Sequence, residues 1–221
     1  MSKKEKKVKK KKNVLNRVLL CIILVGLVFL TYYIYTNFFK KSGSVEAPKV
    51  VDEIKNFNYV VSENDTKLFK STFNELKKVL SEKEVDKKAY AEAISKLFII
   101  DFFTLGNKTS KNDIGGVQFV FSSYKPDFVD YARDGIYKQV SNSIGESKGN
   151  DLPIVSKVEI TKTEEISPAN VFSSIGFGED AIGFEITINW EYESGSDFQK
   201  SSTLTIVTDN DKLSVAKMTE E

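Results

Sequence analysis

The chain opens with two blocks that show no amphipathic period. Residues 3–17 are basic and polar, with eight lysines and Arg17. Val18–Phe39 then runs for 22 residues without a charge. At the helical rise of about 1.5 Å per residue, such a run covers roughly 33 Å, enough for a hydrocarbon core of about 30 Å. A secretory signal has a shorter apolar core, roughly 7–15 residues, and a small-residue cleavage site. Here the run ends in "TYYIYTNFFKK", bulky aromatics and lysines. Tyr32, Tyr33, Tyr35, Phe38 and Phe39 fit an interfacial belt. The pattern therefore predicts a retained transmembrane helix over 18–39. Nine Lys/Arg precede it, while Lys40 and Lys41 flank its far side. That asymmetry places the basic tail 1–17 in the cytoplasm and the carboxyl-terminal part outside. Cys21 follows Leu20 at the start of the run, which is not the lipoprotein arrangement. "KKSGSVEAPK" (40–49) reads as a linker.

Beyond the linker the period becomes helical. Phe69, Phe73, Leu76 and Leu80 recur at four, three and four, one stripe of a helix with Asn64 or Asp65 as its cap. A second helix starts at Asp86 as cap. It carries Tyr90, Ala93, Ile94, Leu97, Phe98 and Phe102 on one side and stops near Gly106-Asn107. A third has Pro126 in its first turn, Phe128, Ala132, Ile136 and Val140 at every fourth position, and Gly145 as its close.

The second half alternates instead. "AIGFEITINWEYE" sets Ile182, Phe184, Ile186, Ile188, Trp190 and Tyr192 on one face and polar residues or glycine on the other. "VSKVEITKTEEI" and "STLTIVT" behave alike, and "DND" (209–211) reads as a turn into a last strand, "KLSVAKM". Three helices followed by about four antiparallel strands, with no βαβ alternation, predict an α+β domain over 50–221. Its helices would pack on a curved sheet.

Composition narrows the chemistry. Of 32 Lys/Arg and 31 Asp/Glu, residues 1–39 hold nine and one, so the remainder carries 23 against 30, a balance of −7. An acidic ectodomain repels nucleic acid, so no strong nucleic-acid binding is expected there. The chain has no histidine, which removes Ser-His-Asp and Cys-His catalysis, histidine-zinc sites and histidine pH switches. Its one cysteine lies in the apolar run, so the ectodomain has no thiol and no disulfide. A cysteine-free, lysine- and asparagine-rich ectodomain fits the outside of a Gram-positive bacterium better than a secreted eukaryotic domain. The sequons at Asn64 and Asn107 then carry no message.

Four groups invite a functional reading. Asp101, inside "LFIIDFFTL", would have a raised pKa if buried and would then serve as an acid or base. Helical stepping leaves it near the apolar stripe, so a place on the polar face stays open too. Gly115-Gly116 matches no phosphate-loop spacing and reads as a turn between helices. Tyr124, Tyr131, Tyr137 and Trp190 either line a cavity or belong to core and rim. Asp209 and Asp211 in "DNDK" lack the further oxygens and glutamate of a calcium loop. No catalytic, cofactor-binding or metal site is assigned, and no cofactor is called for.

The element order resembles the cone-shaped nuclear transport factor 2-like superfamily over about residues 50–219. The likeness is carried by "LFIIDFFTLGNKTSKNDIGG", "KPDFVDYARDGIYKQV" and the alternating strands. Within that superfamily the layout of basic tail, single span and extracytoplasmic domain is similar to the bitopic assembly-factor subunit of type IV secretion and conjugation machines. That resemblance implies a protein that is not an enzyme, holds other machine components together and self-associates; it carries over no contact site. The expectation is a non-catalytic scaffold, tied to membrane lipid through 18–39, whose partners are other membrane or secretion-machine proteins and further copies of itself. The alternative is an extracytoplasmic small-ligand sensor using the cone pocket. A carboxylate enzyme built on Asp101 is a third reading.

Overall fold

The computed structural model describes residues 26–33, 48–140, 152–172, 176–178, 180–194 and 197–220. The chain divides into two units, Met1–Ala47 and Pro48–Glu221. In the first, residues 26–33 are helical and exposed. The rest of the expected span 18–39, the tail and most of the linker lie outside the described residues. Among the described residues no helix is long and apolar enough to cross a membrane.

The second unit begins with an antiparallel hairpin, β1 (Val50–Ile54) and β2 (Tyr59–Ser62). A single 3-10 turn joins them, closed by Asn58 in the left-handed region at φ 53°. The sequence pattern assigns no element here, and the register explains why. Pairing slips between Val50 and Asp52, so Val50 and Val51 are both exposed and no alternation survives.

Helix α1 (Lys67–Ser81) buries Phe69, Phe73 and Leu76, as its stripe predicts. Its cap is Thr66, whose hydroxyl accepts the Phe69 N–H at 3.1 Å, and not Asn64 or Asp65. Asp65 instead accepts the Ser62 N–H at 2.6 Å and closes the turn before the helix. Helix α2 (Lys87–Phe103) is capped by Asp86, which accepts from Ala89 as expected. It ends before the predicted stop at Gly106-Asn107, with Thr104 already extended. Nor is it one-sided: Ala91, Ile99 and Ile100 are buried along with the predicted stripe. An element apolar all round belongs in the middle of a fold, and α2 packs on α1 and on every strand of the main sheet. Helix α3 (Lys125–Asp134) starts with Pro126 in its first turn and is interrupted by a turn over 135–137, with helical residues again at 138–140. Gly145 itself lies outside the described residues.

The main sheet is antiparallel with order β3-β4-β5-β6: β3 (Val155–Ile166), β4 (Gly183–Tyr192), β5 (Ser201–Asp209) and β6 (Lys212–Glu220). A single-turn helix, α4 (Pro168–Val171), follows β3. The alternating face of β4 is the buried one, with Phe184, Ile186, Ile188 and Trp190 in the core. Each such burial contributes roughly 1.5–3 kcal/mol relative to exposure. Asn210, at φ 56°, turns β5 into β6 through the predicted "DND". The architecture is therefore α+β, with helices leading into a four-stranded antiparallel sheet.

One buried polar ladder pins hairpin, helix and sheet together. Tyr59 Oη donates to the Leu213 carbonyl at 3.2 Å, so the Tyr90 hydroxyl donates to Tyr59 at 2.8 Å. Tyr90 in turn accepts the Leu213 N–H at 3.3 Å. Burial raises the pKa of both phenols, so they stay protonated and the ladder stays intact at neutral pH.

Candidate functional site

Asp101 sits in the last turn of α2, where the chain must leave the helix and return over it. Its carboxylate organises that return. One oxygen accepts from Lys108 Nζ at 2.6 Å and the other from the Gly116 N–H at 2.7 Å. The side chains of Lys108 and Asp101 are only 6% and 13% exposed, so this ion pair is largely desolvated. The adjacent Gly115 N–H donates to Tyr137 Oη at 2.8 Å, and that hydroxyl donates to the Phe102 carbonyl at 2.8 Å. Burial, reinforced by the Asp101 charge, raises the Tyr137 pKa well above the ordinary phenol value.

The two glycines are needed for this closure. A Cβ on Gly115 would collide with the Asp101 carbonyl, and Gly116 occupies the left-handed region at φ 78°. The pair joins the α2 return to a 3-10 turn, Val117–Phe119, that leads toward α3.

Beside the corner lies a polar hollow of about 200 Å³, lined by Asp65, Asp101, Lys108, Asp113 and Gln118 among others. Most of its polar atoms already have partners within the chain. Asp113 accepts from the Thr109 N–H and hydroxyl, and the Gln118 amide pairs with both backbone groups of Val60. Burial raises the Asp65 pKa, the Ser62 N–H pulls it back, and the Asp101 charge adds to the rise. Among the described residues no group of His, Cys, Asp or Glu could hold a metal ion. Asp209 is likewise structural, accepting from the Ser122 N–H at 2.8 Å and its hydroxyl at 2.7 Å.

The second hollow is of the opposite kind. An open apolar groove of about 530 Å³ lies between the end of α2, α3, the segment just before β5 and the end of β6. Its walls include Phe102, Phe103, Phe128, Tyr131, Phe198 and Met218. Tyr131 is 81% exposed and Met218 37% exposed on its rim. Of the four aromatics that sequence nominates for a cavity, only Tyr131 lines this one. Tyr137 is buried in the glycine corner, and Tyr124 packs on Phe121. Trp190 lies behind the wall, its ring 4.6 Å from that of Phe103. Its Nε1 donates to Tyr192 Oη, which donates to the Gln199 carbonyl. Phe128, Phe198 and Met218 escape sequence reasoning as parts of one site because three distant segments contribute them. The lone aromatic in the polar loop "SGSDFQKS" is the one signal that points to Phe198.

No family model, no curated protein and no solved structure matches this chain.

Proposed function

We propose that this chain is a membrane-tethered extracytoplasmic interaction protein, a non-catalytic scaffold that holds other proteins at the membrane face. The observation that carries this reading is the open aromatic groove, with Tyr131 and Met218 exposed on its rim. Exposed apolar surface collected in one concave place favours a partner, since scattered single residues would not. The uncharged run Val18–Phe39 supports the tether. Anchoring confines both partners to the membrane plane and raises their effective concentration, so a small groove suffices. The engagement of both Asp101 oxygens by Lys108 and Gly116 weighs for a structural carboxylate over an acid or base. The concrete version is a component of a conjugation or type IV secretion machine, as the resemblance of layout implies.

The groove volume of about 530 Å³ also lies within the range of small-molecule sites, roughly 300–1,000 Å³. It therefore favours, as the second reading, a sensor that uses the same hollow.

The tether is tested by adding protease to intact cells. Residues 48–221 should be digested while the tail 1–17 is protected. Survival of the globular part, or a mature product starting after Phe39, overturns the proposal. Site-specific photocrosslinking from position 131 then separates the readings, since a scaffold yields protein adducts and a sensor does not.

A further inference from the structure

We infer that the groove between α3 and the end of β6 is a docking site for a peptide segment of a partner protein that presents an apolar side chain flanked by lysine or arginine. The inference rests on the interaction-protein reading and names the chemistry of the partner.

The apolar half follows from the walls. Phe102 and Phe128 pack with tilted rings, 5.2 Å between centroids, and form the inner side. Tyr131 and Met218 stand at the rim. One large aliphatic or aromatic side chain entering such a hollow excludes water from several rings at once, the arrangement of an interface hot spot. The rim residues are rigid aromatic or adaptable thioether surfaces, both suited to transient contact.

The cationic half follows from charge. Glu220 is the one charged residue among the described lining residues of the groove, and it is exposed. On the facing helix, Asp127 and Asp134 stand four residues before and three after Tyr131, so both flank that ring on the helix surface. Both are exposed. The basic residues of α3 are directed elsewhere. Arg133 pairs with Asp130 at 2.7 Å, and Lys125 lies close enough to Lys212 to lower the pKa of that lysine. The groove thus holds one carboxylate in its lining, Glu220, with two more on the helix surface beside Tyr131. A segment with acidic flanks would be repelled, and one with neutral flanks would gain nothing from the rim.

The test uses the full chain in nanodiscs of zwitterionic lipid and calorimetric titration with three capped tetrapeptides. The first has leucine and phenylalanine between two lysines, the second has glutamates in place of the lysines, and the third has two serines between lysines. Only the first should bind saturably, roughly in the millimolar range or tighter. Tyr131→Ala should weaken it at least tenfold with no change in the melting temperature. Glu220→Gln should weaken it severalfold and reduce its lead over the glutamate peptide. Absence of saturable binding, equal binding of the glutamate peptide, or indifference to Tyr131→Ala overturns the inference. Phenethylamine binding as tightly as the first peptide also overturns it, because the site would then be a small-ligand pocket. None of these failures touches the protease result, which stands or falls with the tether alone.

Discussion

The two hollows of this domain lie at either end of the same helix exit and are built from opposite materials. Around Asp101 the residues are polar and charged, and the chain satisfies most of them internally. Around Phe102 and Phe128 they are apolar, and on the rim Tyr131 and Met218 stay open to solvent. The contrast separates residues that hold the fold from residues available to something else. Charged groups draw attention in a sequence, yet here the buried carboxylate is spent on closing a loop. The surface left unsatisfied is aromatic, and that is where a partner gains most.

The sharpest way to break the contrast is Asp101→Ala. It leaves the Lys108 ammonium desolvated and the Gly116 N–H without its acceptor. Removing one member of such a pair costs about 3–5 kcal/mol. A urea titration of the full chain followed by circular dichroism should show that loss, and an unchanged midpoint would return Asp101 to the list of functional acids.

Gly115→Ala comes next. Its methyl group meets the Asp101 carbonyl, and forced overpacking of this kind costs about 1–3 kcal/mol. The same titration reads it. Stability within error of the parent would mean that the corner is looser than its hydrogen bonds imply.

Asp65 gives a smaller effect with a pH signature. Burial raises its folded pKa above the unfolded carboxylate value of about 3.9. The folded chain therefore holds this proton more tightly than the unfolded chain. The stability it contributes is full below the unfolded value and declines as pH rises through the folded one. Asp65→Asn should thus unfold at a higher temperature than the parent at pH 7. Its advantage should fade on acidification through the folded pKa, as followed by melts across pH 3–7. A constant difference across that range would assign the effect to something other than the buried charge.

The smallest stability effect is expected at the groove. Tyr131 is 81% exposed, so Tyr131→Ala should change stability by no more than about 0.5 kcal/mol while removing peptide binding. A large loss of stability would place Tyr131 with the structural residues and dissolve the distinction between the two hollows.

Local pattern carried the fold a long way. The strict alternation from Ile182 to Tyr192 gives β4 and its buried face, and Asp86 before an apolar run gives the start of α2. The failures have separate physical causes, the first being competition among neighbouring groups for the same backbone partner. Asn64, Asp65 and Thr66 can all cap a helix, and the choice of Thr66 follows from Asp65 being taken by Ser62. The fourfold repeat through Ile136 and Val140 extends beyond α3 because Tyr137 and Val140 are buried even after the helix breaks at Gly135. The hairpin β1–β2 was illegible because its slipped register erases the period. The role of Asp101 needed Lys108 and Gly116 in space, seven and fifteen residues away. The groove was the least legible, since Phe102, Phe128, Phe198 and Met218 meet only in the folded chain.

The chain's single tryptophan touches the groove wall from behind. Its ring lies against Phe103, and its N–H leads through Tyr192 to the backbone of Gln199, so both of its sensitive directions end on groove residues. Occupancy that shifts Phe103 or the segment at Gln199 will change the surroundings of this indole alone. The molecule thereby carries its own optical gauge, and a shift in ultraviolet emission on filling the groove can be followed without any attached dye.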